Sequence, residues 1–328
     1  MATIYRDHDA DVSLLSGVTI AVIGYGNQGR AQALNLRDSG CDVLVGCPPD
    51  AYRERAIEDG LRVLDPPEAA RRADVVLMLV PDEIQAEVYQ QALAAALRQG
   101  SLLGFASGYN IYFKLIQPPV FVDVVMVAPR MIGSAVRSRF LAGQGFPCLV
   151  AVAQDATGKA HGRMLALARA IGGTRDGAFA SSFEEEVLID LFAEQFLWAG
   201  IGKLCRLYFG TLVQAGCTAE TVATEMYLSG EMVEVAKAML DEGFFKQLDL
   251  HSQTSQYGQL SRADRVLGPD AAARARLMLE AIRNGDFARE WAAEQGQGKP
   301  VLHRLKAAAL AHPLNEIERK LRWSGPDG

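Results

Sequence analysis

The stretch Val18–Gly40, VTIAVIGYGNQGRAQALNLRDSG, decides the fold. Val18 to Ile23 is a short β-branched run, Gly24-Tyr25-Gly26-Asn27-Gln28-Gly29 follows at once, and Ala31, Ala33, Leu34 and Leu36 recur at helical spacing. Strand, glycine turn and helix in that order make a dinucleotide cradle. Gly24 permits the tight turn, Gly26 lets backbone approach a pyrophosphate, and Gly29 lets the helix pack closely on the strand, which leaves the phosphate at the helix N-terminus. A GxGxxG alone is weak evidence; its place between a strand and a helix is what makes it specific.

Outward from this unit, strands are expected at 41–45, 74–80, 101–106 and 120–127, each followed by a turn segment: Gly46, Pro81-Asp82-Glu83, Ser107-Gly108-Tyr109-Asn110 and Ala128-Pro129-Arg130. Strands alternating with helical patterns imply an α/β fold, a Rossmann-type doubly wound parallel sheet with ligands at the strands' C-terminal ends. From about Ser182 the strand signals stop. Residues 183–247 read as long helices interrupted by Gly200, Gly202, Gly210 and Gly216, and 270–323 as further helices. Two domains follow: a dinucleotide-binding domain over 1–182 and an all-helical domain over 183–328. No repeat or low-complexity linker separates them, and the tail WSGPDG is expected to fray.

The chain has a net charge of −6, 49% hydrophobic and 22% charged residues, and a pI near 5.5. That balance offers nothing to nucleic acid or to an anionic membrane surface. Asp7, Asp9 and Asp11 stand where a signal peptide would be basic and then apolar, and there is no long apolar run, so a cytoplasmic protein without a membrane span is expected. The five cysteines form no CxxC pair, which suits scattered reduced thiols and argues against zinc.

A second stretch carries chemistry. Phe183–Gln195, FEEEVLIDLFAEQ, sets Asp190 and Glu194 at i, i+4 among Leu188, Ile189, Leu191 and Phe192. Two anions on a largely apolar helix make sense when they share a cation, and oxygen ligands point to Mg²⁺ or Mn²⁺. The plainer alternative is a solvated face, with Glu184, Glu185 and Glu186 marking a wet end. Cofactor choice rests on the turn Cys47-Pro48-Pro49-Asp50-Ala51-Tyr52. Asp50 would repel an adenosine 2′-phosphate and so favours NAD(H) over NADP(H), unless Asp50 merely starts a turn or Arg53 and Arg55 reverse the balance. Phe196, Leu197 and Trp198 read as core, and His251 as a surface or hydrogen-bonded histidine.

Together these segments resemble ketol-acid reductoisomerase, also called acetohydroxyacid isomeroreductase, in its short class I form. The resemblance is carried by VTIAVIGYGNQGRAQALNLRDSG, GYNIYF with the later PP, VDVVMVAP, QDATGKA, IGGTR, DLFAEQ, and FAREW with HP near the C-terminus. It implies a Rossmann domain followed by a knotted helical domain. It also implies a homodimer or larger assembly that shares its active sites between subunits, acting on a small hydroxy or keto acid. By match to the family's motifs, Tyr25, Gly26, Asn27, Gln28, Asp82 to Gln85 and Gly133 should line the cofactor. Asp190, Glu194 and Glu225, the last in the helix ATEMYLSGEM, should hold Mg²⁺, and Ser252 should hold the substrate carboxylate.

The departures cluster at the expected site. Ser107 stands where the family has histidine, and Ser229 where it has a fourth metal-site glutamate. Arg130-Met131-Ile132-Gly133-Ser134 replaces a lysine-glycine-proline-glycine-histidine segment, and the CPPDAY turn replaces phosphate-binding arginine and serines. A serine cannot make histidine's charge change near neutral pH, and a lost carboxylate weakens the second Mg²⁺ site. Ser107 thus holds the catalytic position, with Ser229 and Ser252 facing substrate. The family's alkyl migration suffers more from these losses than its hydride transfer. The favoured expectation is a redox-neutral closure of a cyclopropanol ring on a sulfonium-bearing 2,3-dihydroxy acid, a pattern that resembles reductoisomerase homologues of specialised metabolism in Burkholderia-type bacteria. The alternatives are a keto-acid reductase or atypical true reductoisomerase of branched-chain amino-acid synthesis, and a cofactor-binding homologue without turnover.

Overall fold

The computed structural model describes residues 1–322. The chain divides into two compact units, Met1–Ile189 and a second beginning at Asp190. The expected break after residue 182 lies at the start of a helix, Phe183–Phe192, and the division falls inside that helix.

The first unit is built on one nine-stranded sheet. Its strands are β1 (Ile4–Tyr5), β2 (Thr19–Ile23), β3 (Asp42–Gly46), β4 (Arg62–Leu64), β5 (Val75–Met78), β6 (Leu102–Phe105), β7 (Asp123–Pro129), β8 (Cys148–Gln154) and β9 (Ala178–Ala180), in the spatial order β1-β9-β8-β7-β6-β5-β2-β3-β4. The run from β4 to β7 is parallel, as expected. The sheet as a whole is mixed, because β8 returns antiparallel to β7 and β1 antiparallel to β9. The helices of this unit are α1 (Asn27–Asp38), α2 (Ala51–Glu58), α3 (Pro66–Arg72), α4 (Asp82–Val88), α5 (Tyr109–Tyr112), α6 (Gly133–Leu141) and α7 (Ala160–Ile171), with α8 (Phe183–Phe192) crossing into the second unit. β2, β5, β6 and β7 are buried along nearly their whole length, so their Val, Ile and Leu runs have no polar face. One apolar cluster on the sheet gathers Ile20, Val22, Leu36 and Leu167, and another gathers Ala21, Ile23, Met78 and Phe105. Alternate residues of β2 thus serve opposite faces. The strand order reverses at β2, flanked by β3 and β5, which opens the crevice where such sheets take ligands.

The second unit is helical: α9 (Ala199–Gln214), α10 (Ala219–Ala223), α11 (Glu231–Asp241), α12 (Gln253–Val266), α13 (Ala271–Arg283), α14 (Asp286–Gly296), α15 (Pro300–Leu310) and α16 (Leu314–Arg322). Gly200, Gly202 and Gly210, expected to interrupt the helices, all lie inside α9, and of the four glycines only Gly216, at φ +93°, follows a helix end. Its internal cluster is small, Phe209, Val222, Ala223 and Ile317, and α11, α12, α14 and α15 bury no residue at all. The expected fraying of WSGPDG concerns Trp323–Gly328, outside the described residues. Among the described residues no helix is long and apolar enough to cross a membrane, and all five cysteines are free thiols. Burial raises the thiol of Cys148 to about 12.

Candidate active site

The glycine turn follows β2 and leads into α1 as the spacing required. Gly24 has φ +95°, and a Cβ there would lie 2.6 Å from Val80 Cγ1. A Cβ on Gly29 would lie 2.2 Å from the Gly24 carbonyl oxygen, which is the close helix–strand contact that forbids a side chain. Gly26, the N-cap of α1, faces open space, as a residue must whose backbone is to meet a phosphate. Gly133 opens α6, and a Cβ there would come within 2.0 Å of the Asn27 carbonyl oxygen, so α6 butts against the turn.

Three side chains expected to line the cofactor, those of Tyr25, Gln28 and Gln85, also make hydrogen bonds within the chain. Tyr25 is buried, and its hydroxyl donates to Asp59 Oδ2 at 2.8 Å, an acceptor it shares with Arg30 Nε at 2.7 Å. Burial, with Asp59 second, raises the Tyr25 phenol well above its ordinary value, while the bonds from Arg30 chiefly hold Asp59 below the ordinary carboxylate range. Gln28 donates through Nε2 to the Met131 carbonyl at 2.8 Å and accepts from Gln32 Nε2 at 3.1 Å, which ties α1 to the segment before α6. Gln85 is buried and donates to Val80 O and Asp82 Oδ1, both at 3.0 Å, while accepting from Asn110 Nδ2 at 3.1 Å.

Asp50 is the N-cap of α2, its Oδ1 accepting from Tyr52 N at 2.9 Å and Arg53 N at 3.0 Å. Arg53 turns back to the Cys47 carbonyl and to Asp65 Oδ1, at 3.2 and 2.6 Å. Beside the turn lies a cavity of about 370 Å³ lined by Gly26, Asn27, Arg30, Tyr52, Arg55, Ser134 and Arg137, among others.

Ser107, at the end of β6, donates from Oγ to Asp82 Oδ2 at 3.1 Å and accepts from the Tyr109 N–H at 3.3 Å. The next residue, Gly108, donates its N–H to Glu186 Oε2 at 2.7 Å, and Glu186 Oε1 accepts from Arg130 Nη1 at 3.0 Å. Glu186 was expected on a wet helix end, yet it is only 1% exposed. Its buried charge is answered by an arginine and a backbone donor, a pairing that spacing within one helix could not show. Asn110 and Glu186 thus belong to this site although the sequence did not single them out. In Asn110, just 1% exposed, Oδ1 has no hydrogen-bond partner among the described residues.

Of the expected metal ligands Asp190 lies in α8, and the other two lie in irregular helix. Glu194 falls in a π-helical turn, Ala193–Trp198, directly after α8, and Glu225 in a second one, Thr224–Leu228, after α10. Such turns sit frequently at functional sites. Glu225 and Ser229 were expected on one helix with Glu231, but Ser229 ends the π turn and Gly230, at φ +83°, breaks the chain before α11. Ser229 Oγ accepts from Glu231 N at 3.3 Å, and Ser252 is the N-cap of α12, accepting from Ser255 N at 3.3 Å. His251 shares a hydrogen bond of 3.0 Å with Gln247. Trp198 was expected in the core and is 64% exposed, while Phe196 stacks on Phe192 with ring centroids 5.1 Å apart. Among the described residues no three His, Cys, Asp or Glu side chains come together to hold a metal ion.

Residues 14–177 match the family described as acetohydroxy acid isomeroreductase, NADPH-binding domain, and residues 183–326 the ketol-acid reductoisomerase C-terminal domain. Among solved structures, an NADH-preferring ketol-acid reductoisomerase from an uncultured archean is 36% identical, with 99% of each chain covered and a TM-score of 0.94. A semialdehyde dehydrogenase NAD-binding protein from Cupriavidus necator, 18% identical over 81% of this chain and 99% of its own, has a TM-score of 0.63. A pyrroline-5-carboxylate reductase from Coxiella burnetii, also 18% identical, covers 81% of this chain and 96% of its own with a TM-score of 0.55. The latter two share the fold alone.

Proposed function

Because the chain belongs to the ketol-acid reductoisomerase family, we propose that it is a nicotinamide-dependent enzyme that has kept the family's hydride step and lost its alkyl migration. The observation that carries this is the Ser107 hydroxyl, hydrogen-bonded to Asp82 and Tyr109 where the family resemblance expects a histidine. A neutral hydroxyl with its proton held by a carboxylate offers no charge change near neutral pH. NAD(H) is the favoured cofactor, on Asp50 and on the 36% identity to an NADH-preferring relative.

The substrate is a 2,3-dihydroxy acid that bears a sulfonium at its far end. A nicotinamide cofactor held at the glycine turn by Gly26 and Asn27 would supply hydride acceptance and hydride return. On the substrate, one carbinol becomes a carbonyl and the neighbouring carbon loses a proton. That carbon's electron pair closes the three-membered ring as the thioether departs with the C–S pair, and the carbonyl then regains hydride and proton. One cyclopropanol, one thioether and one proton leave, with no net change in nicotinamide. Incubation of such a sulfonium with catalytic NAD⁺ and Mg²⁺ should release thioether while nicotinamide absorbance returns to its starting level; lasting NADH accumulation would contradict the proposal. A true but atypical reductoisomerase is the second reading, favoured by the full-length match to one.

Mg²⁺ binding belongs to the proposal, with Asp190 and Glu194 from one chain and Glu225 from a second copy. A homo-oligomer is supported by the second unit's surface, where Trp198, Phe244 and Phe245 are 64%, 65% and 71% exposed and α11 buries nothing. Apolar surface of that kind marks a face that another chain covers. Sedimentation should give at least a dimer, and a monomer at micromolar concentration would contradict it.

A further inference from the structure

We infer that Ser107 and Asp82 form a proton relay: the Ser107 hydroxyl takes the hydroxyl proton of the substrate carbinol as its own proton passes to Asp82 Oδ2, and the transfer reverses when the hydride returns. This rests on the hydride-transfer reading proposed above and adds to it the path of the proton.

The two residues stand at the C-terminal ends of neighbouring parallel strands, Asp82 opening α4 after β5 and Ser107 following β6. That edge is where sheets of this kind bring ligands. Both residues are half-buried, within reach of a small substrate yet drawn out of bulk water.

Asp82 is held from three directions. Its Oδ2 accepts from Ser107 Oγ at 3.1 Å, its Oδ1 from Gln85 Nε2 at 3.0 Å, and its backbone carbonyl from Asn110 Nδ2 at 3.0 Å. Gln85 and Asn110 are 3% and 1% exposed, and Asn110 Nδ2 also donates to Gln85 Oε1 at 3.1 Å. A buried pair of amides thus orients the carboxylate, while the Tyr109 N–H, donating at 3.3 Å, orients the hydroxyl. A hydroxyl in reach of a base that a third group orients is an arrangement by which proteins move a proton through serine. Two other ionisable neighbours are poorer acceptors. Glu186 meets the Gly108 N–H through Oε2 and Arg130 through Oε1. Burial, with Asp82 second, pushes the Tyr109 phenol up to about 12, so it keeps its proton near neutral pH.

As the carbinol is oxidised, its C–H pair leaves as hydride to the nicotinamide and its O–H proton goes to Ser107 Oγ, as the serine's own proton goes to Asp82. A carbonyl, a neutral serine and a neutral carboxylic acid result. Hydride return runs the same path backwards and restores the carboxylate. Ser107 itself changes no charge; the group behind it does.

Initial rates of NADH formation by the full chain with Mg²⁺, NAD⁺ and 2,3-dihydroxy-3-methylbutanoate, which has no leaving group, read the hydride step alone. Ser107→Ala and Asp82→Asn should each lower kcat at least about a hundredfold, the range of a proton-transfer group. NADH affinity by fluorescence titration should stay unchanged in Ser107→Ala, which also shows that variant to be folded. The double variant should lose no more than the larger single loss, because groups that act as one unit are not additive. Ser107→Thr, which keeps a hydroxyl, should recover part of the rate. Losses that multiply in the double variant would overturn the relay, as would a fall in NADH affinity that matches the fall in kcat. A wild-type rate in Ser107→Ala overturns it whether or not Asp82→Asn folds. No NADH from wild type would instead overturn the hydride-transfer reading itself.

Discussion

The hydroxyl of Tyr25, the second residue of the glycine turn, donates to Asp59 Oδ2 at 2.8 Å, at the far end of α2. Asp59 simultaneously holds Arg30 on α1, so one carboxylate fixes the turn, the helix that follows it and the helix that carries Tyr52 and Arg55. Tyr25→Phe should lower stability by about 1 kcal/mol, the net worth of one hydrogen bond. Nicotinamide affinity should fall with it, since the ring stays buried but the tether is gone. Chemical denaturation and cofactor titration of the same variant check both.

Asp59 also sets a pH dependence. Hydrogen bonds from Arg30, ahead of the opposing effect of burial, hold its folded-state pKa below the ordinary value. A depressed carboxylate contributes stability that is present above its unfolded pKa and disappears as pH falls through the folded one. Stability should therefore decline on the acid side, and Asp59→Asn should be less stable at neutral pH while losing less on acidification. A pH series of denaturation midpoints with parallel acid limbs for both proteins would contradict this.

Glu186 and Arg130 form a pair whose carboxylate is almost wholly buried. Glu186→Ala would leave the Gly108 N–H without this acceptor and take a buried carboxylate from Arg130, at a cost of roughly 3 kcal/mol. Glu186→Gln keeps an acceptor and should cost less. Because Gly108 follows Ser107, both changes should also depress turnover more than cofactor affinity, which steady-state kinetics and titration separate.

Asp190→Asn and Glu225→Gln should each abolish Mg²⁺-dependent turnover with NADH binding intact. If one site draws Glu225 from a second copy, mixing the two inactive proteins under exchange should restore part of the activity. No recovery from exchanged mixtures would place all the carboxylates of a site on one chain.

The cradle was legible because its glycines are forced by local sterics: Gly29 lies against Gly24 five residues away. The partners of Tyr25, Gln28 and Gln85, which are Asp59, Met131 and Asn110, are not legible in sequence because no local pattern names them. Burial of Glu186 was hidden for the same reason. The short apolar run CLVAVA could have revealed β8, though not that it runs antiparallel to β7. The π-helical turns at Glu194 and Glu225 leave no mark in spacing, since an i+5 hydrogen bond keeps the same run of residues. Gly200, Gly202 and Gly210 look like interruptions in sequence, yet a Cβ at any of them would meet nothing within 4 Å. Helix continuity through them costs only propensity.

The most direct measurement follows nicotinamide absorbance in purified enzyme with 2-acetolactate, Mg²⁺ and either NADH or NADPH. Loss of the alkyl migration predicts no sustained consumption while both Mg²⁺ and NADH bind by calorimetry. Rapid consumption would contradict it and make the chain a working ketol-acid reductoisomerase with serine at position 107.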